Sequence, residues 1–161
     1  NPDSRTLPFI ERLWLPAYAV CVHSQQRDKE IRTWTTVDGL AGYFAFLDNV
    51  NDLTERELTE DSFPPSVTRE QAETSARRGL LQFVMRQRGQ FNKPVIDGID
   101  EVRLYHFPVW VLYFHRLTKR LDIKALDAYT GKPGGAKMRV GVLDALIAAR
   151  NRRLTESAIS R

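Results

Sequence analysis

Pro16-Ala17-Tyr18-Ala19-Val20-Cys21-Val22-His23 and Pro108-Val109-Trp110-Val111-Leu112-Tyr113-Phe114-His115 align position for position without a gap. Each begins on proline, ends on histidine and is otherwise apolar, aromatic or β-branched, the composition of a strand packed in a sheet. The match resumes after a turn, where Val37-Asp38-Gly39-Leu40-Ala41-Gly42 aligns with Leu126-Asp127-Ala128-Tyr129-Thr130-Gly131 across a connection three residues shorter. A chain that spells one hairpin and one turn twice is restricted to folds with two related sheet segments. A meander of strands buries only one face, so each copy needs the helix that follows it to close a core. The expected fold is α+β: two repeated antiparallel β-meander plus helix units sharing one core. They lie in a single domain, residues 1–161, with internal units at about 10–89 and 100–153.

The segments between the hairpins fit this plan. Leu13 to His23 reads as a strand, Ile31 to Val37 as a second and Tyr43 to Leu47 as a third, with Asp38-Gly39 and Gly42 supplying turn chemistry. Asp48 to Asp61 then carries six acidic residues against one Arg, and Pro64-Pro65 forbids regular structure, so residues 48–66 read as an acidic linker. Thr68 with Gln71 is a capping box, opening a helix to about Arg88. Its core face is expected to hold Ala72, Ala76, Leu80, Phe83, Val84 and Gln87, with Gly89 as the C-terminal cap. Gly79 inside that helix costs about 1 kcal/mol relative to Ala, so it predicts a close approach by a neighbour. A loop through Lys93-Pro94 and Asp97-Gly98 is expected before a strand from Val102 to Arg116 and its partner, Leu121 to Leu126. An amphipathic helix over about Met138–Arg153 puts Val142, Leu143, Leu146 and Ile147 on one face, with Arg139, Arg150, Arg152 and Arg153 toward solvent or an end.

Leu126-Asp127-Ala128-Tyr129-Thr130-Gly131-Lys132 resembles the strand-ending motif of PepSY and related cystatin-like modules: aspartate, small residue, any residue, Thr, Gly. The first copy departs from it, with Ala41 in place of the Thr. The resemblance implies a small α+β module whose helix lies on an antiparallel sheet and which binds or regulates a partner. It transfers no catalytic residue.

Length and composition bound the function classes. The 161 residues carry 24 Lys and Arg against 20 Asp and Glu, a formal charge of +4, with 42% hydrophobic residues. That is a globular composition, neither disordered nor fibrous. The lone Cys21 cannot form an intramolecular disulfide, and the most apolar run, Phe107 to Phe114, is too short to cross a bilayer, so no transmembrane segment is expected. The start at Asn1-Pro2-Asp3 without Met reads as a processed product or a piece of a longer protein.

No catalytic, metal or cofactor site is expected. His23 and His115 occupy matching strand ends, and the only other histidine is His106, so half-buried structural histidines are favoured over ligands. Cys21 reads as a packed thiol. Gly131-Lys132-Pro133-Gly134-Gly135-Ala136-Lys137 lacks the spacing and hydroxyl of a Walker loop and reads as a flexible connector.

Charge is uneven. Residues 116–161 hold 11 basic and 4 acidic side chains, 11 − 4 = +7, leaving 13 − 16 = −3 on residues 1–115. This basic zone nominates Lys132, Lys137, Arg139, Arg150, Arg152 and Arg153 as partner or anion contacts. Trp14, Tyr18, Trp34, Tyr105, Trp110 and Tyr113 serve as core or as a stacking platform. The expected function is a non-catalytic interaction or regulatory module of a larger, bacterial-type protein, binding a protein or peptide partner by a sheet edge or face. The alternatives are nucleic acid or another polyanion bound by the basic zone, and a small-molecule or enzyme pocket between helix and sheet.

Overall fold

The computed structural model describes residues 7–59, 61–87, 92–117 and 120–159. The fold is α+β. Strands β1 (Phe9–Gln26), β2 (Lys29–Asp38), β3 (Phe44–Phe46), β4 (Val95–His115) and β5 (Leu121–Asp127) form one antiparallel sheet in the order β3-β2-β1-β4-β5. Helices α1 (Arg69–Arg86) and α2 (Ala136–Ile159) follow β3 and β5 respectively. The chain divides into two compact units. One comprises Pro16–Leu58 and Pro64–His106; the other comprises the residues up to Leu15, Thr59–Phe63 and those from Phe107 onward.

In the first unit, alternation along β1 puts Tyr18, Val20 and Val22 on the face covered by α1. With Val37 they form a buried cluster with Ala72, Ala76, Leu80 and Val84 of the helix. The capping box forms as the sequence predicts: the Gln71 N–H donates to Thr68 Oγ1 at 3.3 Å and the Thr68 N–H donates to Gln71 Oε1 at 2.9 Å. Phe83 departs from the expected core face; it is 44% exposed and meets Phe46 edge-on instead. The cap expected at Gly89 lies outside the described residues.

On the other face of this unit the small residues Ala17, Ala19 and Cys21 are also buried. Larger side chains from the flanking strands β2 and β4 meet above them. The hydroxyls of Thr36 and Tyr105 are 2.7 Å apart, Arg103 lies 5.3 Å from the Trp34 ring centroid, and Arg32 pairs with Asp100 at 2.9 Å. Asp97 reaches His23 at 2.5 Å. Asp97 and Gly98 therefore lie inside β4, which starts at Val95, and not in the loop that their turn chemistry predicts. Pairing across the sheet overrides local preference there.

In the second unit the buried alternation has the opposite phase. Leu13, Leu15, Val109, Val111, Tyr113, Ile123 and Ala125 are buried, and α2 packs on β5 with Val142 and Ala145 buried. Phe9 stacks on Tyr113 with centroids 5.1 Å apart, and the Tyr113 hydroxyl donates to Glu11 at 2.6 Å. Ile147, expected on the core face of the helix, is 57% exposed.

The two turns share one hydrogen-bond pattern. Asp38 Oδ1 accepts from the Leu40 and Ala41 N–H groups, the Asp38 N–H donates to Tyr43 O, and Gly39 N–H donates to Pro16 O. At the second turn Asp127 Oδ1 accepts from Tyr129 and Thr130, the Asp127 N–H donates to Lys132 O, and Ala128 N–H donates to Pro108 O. Gly42 and Gly131 close the turns at φ +75° and +70°, where glycine alone is unstrained. The helices differ. Tyr18, Val20 and Val22, covered by α1, align in sequence with Trp110, Leu112 and Phe114, whereas the buried phase of β4 is Val109, Val111 and Tyr113, the last two level with Ala125 and Ile123 of β5, the strand on which α2 packs.

Candidate functional site

That difference leaves one sheet face of the second unit open. Strand alternation sends Ile10, Arg12 and Trp14 of β1, Trp110, Leu112 and Phe114 of β4, and Lys124 and Leu126 of β5 away from the packed side. The register pairs Trp110 with Leu126 and Leu112 with Lys124. Ile10 is 59%, Trp110 41% and Leu126 37% exposed, while Trp14, Leu112 and Phe114 are half-buried.

Two cations are set among these rings. The Arg12 guanidinium lies 5.6 Å from the Trp14 ring centroid and 5.8 Å from that of Trp110, and Lys124 Nζ lies 5.6 Å from the Phe114 centroid. Such contacts contribute about 0.5–1 kcal/mol each at exposed sites. Neither cation has a carboxylate partner among the described residues. A guanidinium stacked by its faces keeps its in-plane N–H groups free to bind a carboxylate or phosphate. At the rim, Asp122 is already paired with Arg139 and Arg116. The Arg139 hydrogen bond holds its carboxyl below the usual range against the opposing pull of burial, aided by the Ile123 N–H at 2.8 Å and by Arg116.

The strand edges are unequal. On β5 the Ala125 carbonyl accepts from Gly134 N–H, the Asp127 N–H donates to Lys132, and the Ile123 N–H is held by the Asp122 side chain. The outer side of β2 carries Lys29, Glu30 and Arg32, charges that discourage strand addition. On β1, Trp14 pairs with the linker: its N–H donates to Asp61 O at 3.0 Å and its carbonyl accepts from Phe63 N–H at 2.9 Å.

The six basic candidates are dispersed. Arg139 is half-buried and paired with Asp122, its Nε donating at 3.0 Å. Lys132 and Lys137 are exposed beside the start of α2. Arg150, Arg152 and Arg153 are exposed within a helix that continues to Ile159, past the expected end at Arg153. From Lys137 to Arg150 the helix rises about 20 Å, so these side chains form no single cluster. Of the six aromatic candidates, Tyr18 and Tyr113 are buried and Trp34 and Tyr105 bridge the first unit's sheet, leaving Trp14 and Trp110 on an open face. Arg12, Phe114 and Lys124 were missed, because only the helix placement exposes their face.

The remaining chemistry is quiet. His23 is mostly buried, with Asp97 on Nδ1 and Glu30 3.9 Å from Nε2. His115 is exposed at the end of β4. Burial, reinforced by Asp100, pushes the Cys21 thiol up, which disfavours the nucleophilic thiolate. Among the described residues no group of three metal-binding side chains occurs. An open depression beside α1 is lined by Gly42, Val67, Glu70, Gln71, Thr74 and Arg78, where Gln71 is committed to the cap and Thr74 donates to Glu70 O. No helix among the described residues is long and apolar enough to cross a membrane. Compared with known protein families, curated proteins and solved structures, the chain matches none.

Proposed function

We propose that this chain is a non-catalytic interaction module of a larger protein, binding a protein or peptide partner through the open aromatic face of its second unit. The observation that carries this reading is the Trp14–Arg12–Trp110 stack beside exposed Ile10 and Leu126. Contiguous apolar surface of this kind is characteristic of contact sites, and Trp and Arg dominate the energetics of interfaces. The test is a peptide-display selection on the purified protein. Enriched peptides should lose binding on Trp110→Ala and keep it on Tyr129→Ala, which removes a 78% exposed ring from the adjoining turn. No enrichment, or enrichment indifferent to Trp110→Ala, overturns the reading.

A second reading, binding of nucleic acid or another polyanion, draws on the cations interleaved with those rings and on exposed Lys132 and Lys137 in the same unit. Its signature is steep salt sensitivity, through counterion release, in retention on heparin or DNA. As to ancestry, the reading that the chain is two copies of one cystatin-like hairpin module is supported by the shared turn bonds at Asp38 and Asp127.

A further inference from the structure

We infer that the partner is an extended acidic segment that adds a strand to the free outer edge of β1 at Ile10 and Arg12. This rests on the interaction reading and specifies its ligand. In an extended strand, residues two apart direct their N–H and C=O groups to the same side. Trp14 directs its pair to the linker, so Ile10 and Arg12 direct theirs to that same side. There β2 pairs with β1 only from Ala17 to Gln26, and the linker bridge stops at Ser62. Among the described residues no strand lies on that side of Ile10 and Arg12, β4 being on the other, whereas the outer groups of β5 are largely taken. The contact of Asp61 and Phe63 with Trp14 shows that this edge accepts backbone pairing; a partner strand extends that interface by one turn of the pleat.

Charge selects the occupant. The side chains of Ile10 and Arg12 stand on the open face, where an added strand brings its own alternate side chains within about 4.5–5.5 Å. The formal charge offered there is Arg12, which has no carboxylate partner among the described residues, while Lys124 lies two strands away on β5 and Asp122 at the rim is neutralised by two arginines. A segment alternating carboxylate and aliphatic residues satisfies Arg12 and covers Ile10. Nucleic acid fits less well, because two separated cations make no phosphate track.

The probe is the capped hexapeptide Glu-Val-Glu-Ile-Glu-Thr, with its Lys-for-Glu counterpart, a version N-methylated at alternate residues, and oligo(dT). Binding is read by tryptophan fluorescence and by hydrogen exchange at the Ile10 and Arg12 amides. The acidic peptide should bind at least tenfold more tightly than the basic one, slow exchange at both amides and lose binding on N-methylation. Arg12→Glu should reverse the peptide preference; Arg12→Gln, a milder change, should weaken the acidic peptide several-fold. Equal binding of the two peptides, indifference to N-methylation, or binding of oligo(dT) alone overturns the inference. If display-selected peptides still require Trp110 in that case, the interaction reading stands without it.

Discussion

The ring of Phe44 lies over Gly79, so near that a β-carbon on Gly79 would overlap the ring carbons. This contact ties the three-residue strand β3 to α1, and the ring continues through Phe46 at 5.3 Å to Phe83 at 4.8 Å. It explains a glycine that helix propensity opposes by about 1 kcal/mol. Gly79→Ala should therefore destabilise by about 1 kcal/mol net, the overpacking cost of about 1–3 kcal/mol exceeding the propensity gain. Gly79→Leu should cost more. Urea denaturation followed by circular dichroism measures both, and a double-mutant cycle with Phe44→Ala should show strong coupling. A Gly79→Ala midpoint at or above that of the parent removes the packing argument.

Asp122 predicts an acid-side weakness. Its folded carboxyl is held below its unfolded value chiefly by Arg139, so its contribution is present above the unfolded value, about pH 4, and is lost as pH falls through the folded one. The Ile123 amide, held by Asp122 Oδ1, is a local reporter. Its protection against exchange should decline below about pH 4 in the parent protein. In Asp122→Asn it should be weaker at neutral pH and nearly flat across that window. An unchanged acid profile in the variant assigns the weakness to other carboxyls.

Much of the fold was legible because local signals and tertiary demands agree at particular residues. Thr68 and Gln71 cap α1 as their spacing requires, and Asp38 and Asp127 turn the chain as aspartates before flexible residues do. Where the signals conflict, the sequence misleads: Asp97-Gly98 has turn chemistry, yet Asp97 is held by His23 across the sheet. The site was half legible. Trp14 and Trp110 stood out by residue type, but β4 is apolar at both phases, with Val109, Val111 and Tyr113 on one and Trp110, Leu112 and Phe114 on the other. Alternation alone gives no sign of which phase is buried, so the roles of Arg12 and Lys124 emerge only from packing. Arg139 misled for a related reason: a basic residue on a helix reads as solvated until its buried acidic partner is placed.

Tyr18 predicts an alkaline counterpart. Its hydroxyl donates to Val67 O at 2.8 Å, and burial, with Glu70 second, pushes the phenol up from its ordinary value. A raised folded value gives stability that is complete below the unfolded value, about pH 10, and lost as pH rises through the folded one. Tyr18→Phe should cost about 1 kcal/mol at neutral pH by leaving Val67 O without its donor. It should also remove part of the stability loss above pH 10 or so. Denaturation midpoints at neutral and alkaline pH test both; identical pH dependence in the two proteins would sink the assignment.

Pro16 and Pro108 lie well inside strands, β1 beginning at Phe9 and β4 at Val95. What they mark is the end of a neighbour's ladder. The β1–β2 register runs out at Ala17 opposite Asp38, and that of β4–β5 at Val109 opposite Asp127, one residue short of each proline. The proline nitrogen therefore replaces no ladder donor, while its carbonyl is used, by Gly39 N–H at 2.9 Å and Ala128 N–H at 3.0 Å. Alanine at either site keeps those carbonyls. The cost should reflect lost ring burial and chain stiffness, about 1–2 kcal/mol at fully buried Pro16 and less at half-buried Pro108. The Gly39 and Ala128 amides should stay protected from exchange in the respective variants. Loss of that protection, or failure to fold, would mean that the prolines set the register and do not merely permit it.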